Sequence, residues 1–201
     1  MRFLTRSFRQ AGVAVRAMCV LTIALGIGYT LLITGIGQLA LPAEANGSLV
    51  TVDGKTIGSS LIGQSFTTAK GAALPQWFQS RPSAAGAGYD AGSSSGSNYG
   101  PNSKALVALI SARQSAIENT DGVTRAQIPA DAVTASGSGL DPDISPAYAL
   151  LQVDRVARLR GLSISTVKKL VESKIQGREL GYLGEPTVNV LELNIALTQL
   201  G

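Results

Sequence analysis

The chain has 201 residues, a formal net charge of +4, no histidine and a single cysteine. The missing histidine removes the commonest general base and metal ligand, so Ser-His-Asp and Cys-His catalysis are excluded, while Ser-Lys or carboxylate chemistry is not formally excluded. The positive excess sits in Arg2, Arg6, Arg9 and Arg16, and beyond residue 43 basic and acidic residues balance at 13 each, so no basic patch points to nucleic acid.

Residues 1–16 form a short basic arm. From Ala17 to Leu41 the chain runs 25 residues without a charge. A hydrocarbon core about 30 Å thick needs roughly 20 apolar residues, and in lipid a helix is the only single segment that satisfies its own backbone. The arginine flank predicts a cytoplasmic N-terminus, with 17–41 as the span and 43–201 as one extracytoplasmic domain. The competing reading is a cleaved signal peptide, since Ala43-Glu44-Ala45 resembles a cleavage site. A signal h-region is only about 7–15 residues long, which favours an uncleaved anchor. Within the span Thr22, Gly26 and Thr30 form a row of small side chains, as expected of a face that packs on a partner helix. Cys19 lies near the membrane entry, and the outer domain has no cysteine for disulfides.

Asn46-Gly47-Ser48 reads as a turn. Leu49–Val52 and Lys55–Ile57 flank Asp53-Gly54, a strong hairpin pattern. The run Leu61–Phe66 reads as a continuation of that sheet. Trp77 and Phe78 read as a core anchor with Arg81 snorkelling beside them. Residues 84–103, rich in Gly and Ser, read as a long surface loop. Ser103 opens a helix whose stripe is Leu106, Leu109, Ile110, Arg113 and Ile117. Ser145 and Pro146 start another with Leu150, Leu151, Val153, Val156, Ala157 and Leu159 on one face, stopped by Gly161. Ser163 caps a third, with Ile164, Val167, Leu170 and Val171 inward and its close near Gly177. Pro186 and Val188 mark a short strand, and Leu191–Leu200 a final helix. The fold class expected is α+β, with a small antiparallel sheet near the start of the domain and three or four helices after Ser103.

No constellation identifies a reaction, and no catalytic residue is assigned. Ser136, Gly137, Ser138 and Gly139 form a Gly-rich turn whose backbone N–H groups are suited to an anion nest, but the Lys and spacing of a P-loop are missing. A turn or a helix lead-in is the plainer role. Asp141, Asp143 and Asp154 match no EF-hand loop, so they read as solvated caps and no metal site is assigned.

Eight blocks in one order carry a family resemblance. They are Asn46-Gly47-Ser48; Gly58-Ser59 with Leu61–Phe66; Phe78 with Arg81-Pro82-Ser83-Ala84; Gly96-Ser97-Asn98; Val133–Pro142; Ile144-Ser145-Pro146; Gln152-Val153 with Arg155-Val156-Ala157; and Gly184-Glu185-Pro186 with Val188–Asn194. On these the chain resembles the C subunits of the bacterial Kdp potassium-transporting P-type ATPases over nearly its whole length. One departure is Asp143, where the family often has histidine, which puts any role of that histidine in doubt. The resemblance implies a non-catalytic, single-pass subunit in the bacterial plasma membrane. Its partners would be a channel-like potassium-binding subunit, a catalytic P-type ATPase subunit, a small membrane subunit and the lipid bilayer. It also implies a catalytic chaperone that raises the ATP affinity of the catalytic subunit, with ATP and potassium ion handled by the complex and no cofactor of its own. Ser136 to Gly139 match the segment proposed in the family to contact nucleotide. The alternative is a stand-alone membrane-anchored domain with a binding or hydrolytic role.

Overall fold

The computed structural model describes residues 2–200, with side chains from Phe8 onward, and the chain divides at Thr51/Val52 into two compact units. The side chains of Arg2 and Arg6 lie outside the described residues.

The first unit is one long helix: α1 (Arg2–Leu21), a π-helical stretch (Thr22–Tyr29) and α2 (Thr30–Ala40), followed by one short turn, α3 (Pro42–Ala45). From Phe8 to Ala40 it is long and apolar enough to cross a membrane, and its most apolar stretch is wholly exposed. The basic arm is therefore helical too, and Arg9 and Arg16 lie on α1. At the exit Pro42 stops the helix, and the Asn46 amide donates to the Pro42 carbonyl (2.7 Å) and to Gln38 Oε1 (3.0 Å).

The hairpin expected around Asp53-Gly54 forms, with β1 (Leu49–Val52) and β2 (Lys55–Ser59) joined by two residues of positive φ, +49° and +75°. Asp and Gly are the residues that adopt such a turn at low cost. Leu61–Phe66 does not continue this sheet. The Gly63 amide donates to the Leu140 carbonyl (2.8 Å), and Gln64 reaches back to β2 with its side chain, Nε2 donating to the Ile57 carbonyl (2.8 Å).

The remaining elements are α4 (Lys104–Asp121), β3 (Asp143–Ile144), α5 (Pro146–Leu151), α6 (Val153–Arg160), α7 (Ile164–Ser173), β4 (Ile175–Gln176), β5 (Thr187–Asn189) and α8 (Val190–Thr198). Ser103, Ser145, Ser163 and Asn189 each cap a helix by accepting an amide hydrogen, and Gly122 and Gly161 end α4 and α6 with positive φ. A three-stranded antiparallel sheet, ordered β3-β5-β4, pairs Ile144 and Ile175 with Val188 on either side. Phe78, Ile144, Val156, Val167, Val171, Val188, Leu193 and Leu197 fill the core beneath it.

Several expectations shift. Among the described residues five α-helices, not three or four, follow Ser103, because the stretch expected as one helix breaks at Gln152, whose side chain bonds the backbone of Gln79 (2.7 and 3.1 Å). Leu159 and Ile164 are exposed. The helix capped by Ser163 ends at Ser173, four residues short of Gly177, because Ile175-Gln176 is claimed by β5. Arg81 does not snorkel beside Trp77. It pairs with Asp141 at 2.7 Å, and the guanidinium over the Trp77 ring, at 4.0 Å, is that of Arg160.

Candidate functional site

The segment Val133–Pro142 has little regular structure and is held by side chain–backbone bonds together with backbone bonds from Gly63, Ser95 and Val190. The Ser136 hydroxyl accepts the Gly139 amide (2.9 Å), and the Ser138 hydroxyl accepts the Leu140 amide (3.1 Å). The Gly/Ser-rich loop closes over it: Ser95 N–H and the Ser94 hydroxyl donate to the Ser138 carbonyl (2.9 and 3.0 Å), and Ser83 donates to the Gly139 carbonyl (2.6 Å). Two Gly-rich stretches thus support each other, and the close approach needs glycine. A Cβ on Gly139, at φ +69°, would lie 2.6 Å from the Ser95 carbonyl oxygen and 2.8 Å from the Ala85 nitrogen. Side chains at this spacing would force the two backbones apart.

Beside the segment opens a cleft of about 510 Å³ lined by Leu61, Ile62, Arg81, Ser136, Ser138 and Asp141 among others. Of the four residues singled out in the sequence, Gly137 and Ser138 are exposed, whereas Ser136 and Gly139 are buried and used by the turn itself. The amides of Gly139 and Leu140 are therefore taken, and the anion-accepting capacity of the turn rests on Gly137 and Ser138. The one cation on the cleft, Arg81, already has its counter-charge in Asp141. Asp141 also accepts the Asp143 amide (3.0 Å), a local cap of the expected kind. Asp143 is pushed above the usual carboxylate range, first by burial and then by its neighbours Asp141 and Glu192. Tyr89 donates to the carbonyls of Arg81 (2.9 Å) and Asp141 (3.3 Å), and its burial pushes it up to about 12. Among the described residues no group of three acidic or thiol side chains is placed to bind a metal.

Of the three small residues on the long helix, two adjoin. A Cβ built on Gly26 would touch Thr22 Cγ2 at 3.8 Å and nothing closer, so Thr22 and Gly26 share one open face. The Thr30 hydroxyl donates within its own helix, to the Leu25 carbonyl at 3.4 Å, five residues back in the π register. Sequence reasoning missed the anchoring roles of Ser83, Tyr89, Ser94 and Ser95. The excess of hydroxyls in that loop was their only signal.

A family model described as K+-transporting ATPase, c chain, matches residues 11–199. A protein of Gemmatimonas aurantiaca named potassium-transporting ATPase KdpC subunit is 55% identical over 193 residues, 96% of this chain and 92% of its own length. Proteins of the same name from Methylococcus capsulatus and Mycobacterium bovis are 52% and 48% identical, over 93% and 96% of this chain and 96% and 99% of their own lengths. Nearly the whole chain, spanning helix and folded unit alike, thus belongs to the KdpC family, the c chain of the potassium-transporting ATPase.

Proposed function

We propose that the chain is a non-catalytic, single-pass subunit of a high-affinity, ATP-driven potassium uptake pump, needed for assembly and stability of the complex. In this reading its partners are the channel-like potassium-binding subunit, the catalytic P-type ATPase subunit and the small membrane subunit. The carrying observation is a 33-residue apolar helix, Phe8–Ala40, on a chain from a family of ATPase subunits. Bilayer and partner helices together would cover it. Thr22, Gly26 and Thr30 are the proposed packing face, because small residues let helix backbones approach closely.

In the same reading residues 1–16 are cytoplasmic, 17–41 span the plasma membrane and 43–201 lie outside it, which the basic flank supports. ATP is cytoplasmic. A direct nucleotide contact by Ser136–Gly139 conflicts with that topology, and the engagement of Ser136 and Gly139 in their own turn supports a structural role for both. The proposed chaperone effect on ATP affinity is then an indirect coupling, in which this subunit favours one conformational state of the pump.

One preparation tests both parts. In a Cys19→Ala background, Ser138→Cys places a thiol at an exposed position of the cleft. Intact cells are treated with a membrane-impermeant thiol reagent, and the tagged chain is then purified in mild detergent. Labelling of intact cells together with co-purification of the pump subunits is the expected result. Labelling only after the cells are opened refutes the topology and restores the direct contact. A chain that purifies alone refutes the subunit reading.

A further inference from the structure

The basic and acidic residues beyond residue 43 balance in number but not along the chain. Residues 154–174, covering most of α6, the turn after it and α7, hold six basic residues and two acidic ones. Arg155 is answered in the interior by Asp121 at 2.7 Å, which leaves five cations against Asp154 and Glu172. Lys168 faces Glu172 at 3.9 Å, one turn along α7. Arg158, Arg160, Lys169 and Lys174 make no ion pair among the described residues, although Asp154 stands one turn before Arg158. Between Asp154 and Glu172 there is no acid at all.

The same corner leaves apolar side chains uncovered. Leu159 is 49% exposed and Ile164 54%, one on each side of the turn Gly161–Ser163. Charge alone suits any polyanion. Leucine and isoleucine set among cations suit a surface with charged groups above hydrocarbon, where the long basic side chains stay in the polar layer. The place of the corner fits as well. The Arg160 guanidinium lies 4.0 Å over the Trp77 ring. Trp77 in turn lines a small apolar pocket with Val52 and Ile57 of the hairpin by which the chain enters the folded unit. Only residues 41–48 separate α2 from that hairpin, a reach of at most about 28 Å. A bilayer crossed by the long helix is therefore within reach of this corner.

We infer that the α6–α7 corner docks on the anionic headgroups of the bilayer that the chain's own helix crosses. Arg158 and Lys169 meet the phosphates, and Leu159 and Ile164 enter the interface. The inference uses the membrane anchor. It does not depend on the pump reading or on which side the folded unit lies.

The test uses the full-length chain with Cys19→Ala and Ile164→Cys, the new thiol carrying an environment-sensitive fluorophore. It is reconstituted in vesicles of phosphatidylcholine, and in vesicles of phosphatidylcholine mixed with phosphatidylglycerol. Blue-shifted emission, quenched by lipids spin-labelled near the headgroup, is expected in the mixed vesicles and not in the neutral ones. Adding Arg158→Gln and Lys169→Gln should lower the ratio of docked to free corner about 25-fold, at about fivefold per cation on an anionic surface. Salt at about 1 M, where the screening length falls to about 3 Å, should release most of the contact. Arg158 and Lys169 are both exposed, so the urea midpoint read from Trp77 should stay in place. Equal quenching in the two vesicle types, or quenching unmoved by the double substitution, overturns the inference. So does the absence of quenching in both, and shielding of that thiol in the purified pump would then assign the corner to a protein partner. A chain released from the vesicles by alkaline carbonate refutes the anchor itself, and this site with it.

Discussion

Replacing Arg155 by Met should be the most damaging single change in the folded unit. Arg155 is 2% exposed, and its Nε donates to Asp121 Oδ1 at 2.7 Å. Nη1 donates to the carbonyls of Pro75 and Trp77, and Nη2 to Gln152 Oε1 at 2.6 Å. One guanidinium thus ties α6 to the last residue of α4 and to the segment 75–79, which Gln152 grips from the other side. Met keeps similar bulk but leaves Asp121 buried with no counter-charge and removes one acceptor's donor at each of three further sites. Breaking a buried pair in this way costs about 3–5 kcal/mol. At about 2–4 °C per kcal/mol for a unit of this size, a loss near 4 kcal/mol lowers the melting temperature by roughly 8–16 °C.

Trp77 is the only tryptophan and its own carbonyl belongs to the network, so its fluorescence reports urea unfolding at the right place. The double variant Asp121→Leu, Arg155→Met should be less damaged than Arg155→Met alone, because no orphan charge remains. The pH dependence carries a sign. Burial raises Asp121 above the usual carboxylate range, and Arg155 opposes that rise. The folded state therefore binds the proton more tightly than the unfolded chain, and stability falls as pH rises through the folded value. Removing Arg155 raises Asp121 further, so the defect should shrink as the pH is lowered from about 7 toward about 4, the ordinary carboxylate range. An Arg155→Met loss below about 1 kcal/mol at neutral pH, or one that grows on acidification, refutes the reasoning.

Three shorter predictions follow from other positions. Asp143 Oδ1 is buried and unpartnered, and Asp143 is raised by burial, Asp141 and Glu192. Asp143→Asn should therefore raise the urea midpoint at neutral pH, by under about 1 kcal/mol after solvent screening of a half-exposed group, with the gain fading at acid pH. Gly139→Ala places a methyl against the Ser95 carbonyl and the Ala85 nitrogen at positive φ, so thermal melting should show a loss of about 1–3 kcal/mol, and an unchanged midpoint would mean the two loops are not packed as described. Gly26→Leu fills the open face beside Thr22 and should reduce the yield of co-purified pump subunits while leaving the folded unit's melting unchanged, with full recovery counting against that face.

What the sequence made legible was what its neighbours in the chain decide. The Asp53-Gly54 turn, the Ser103, Ser145 and Ser163 caps and the Gly161 stop each involve groups within a few residues, and each lies where the local chemistry puts it. The errors fall where a distant partner wins. Leu61–Phe66 has strand composition, yet Gly63 bonds Leu140, 77 residues on, and among the described residues no third strand forms beside the hairpin. A helical pattern runs through Gln152, but its side chain grips Gln79, 73 residues earlier, and the helix breaks there. The Phe78 amide and carbonyl are met by Asn194, 116 residues away, in a pairing no local pattern announces. The same division holds at the candidate site. Gly and Ser at 136–139 were visible as a turn, because Ser136 and Ser138 bond amides two or three residues on. That the loop at 83–95 is the other half of that turn was not visible, since a segment poor in apolar residues gives no periodicity to read. Its order comes instead from bonds between hydroxyls and carbonyls that only the folded chain brings together, which is why two Gly-rich stretches that look mobile in sequence can form one fixed wall.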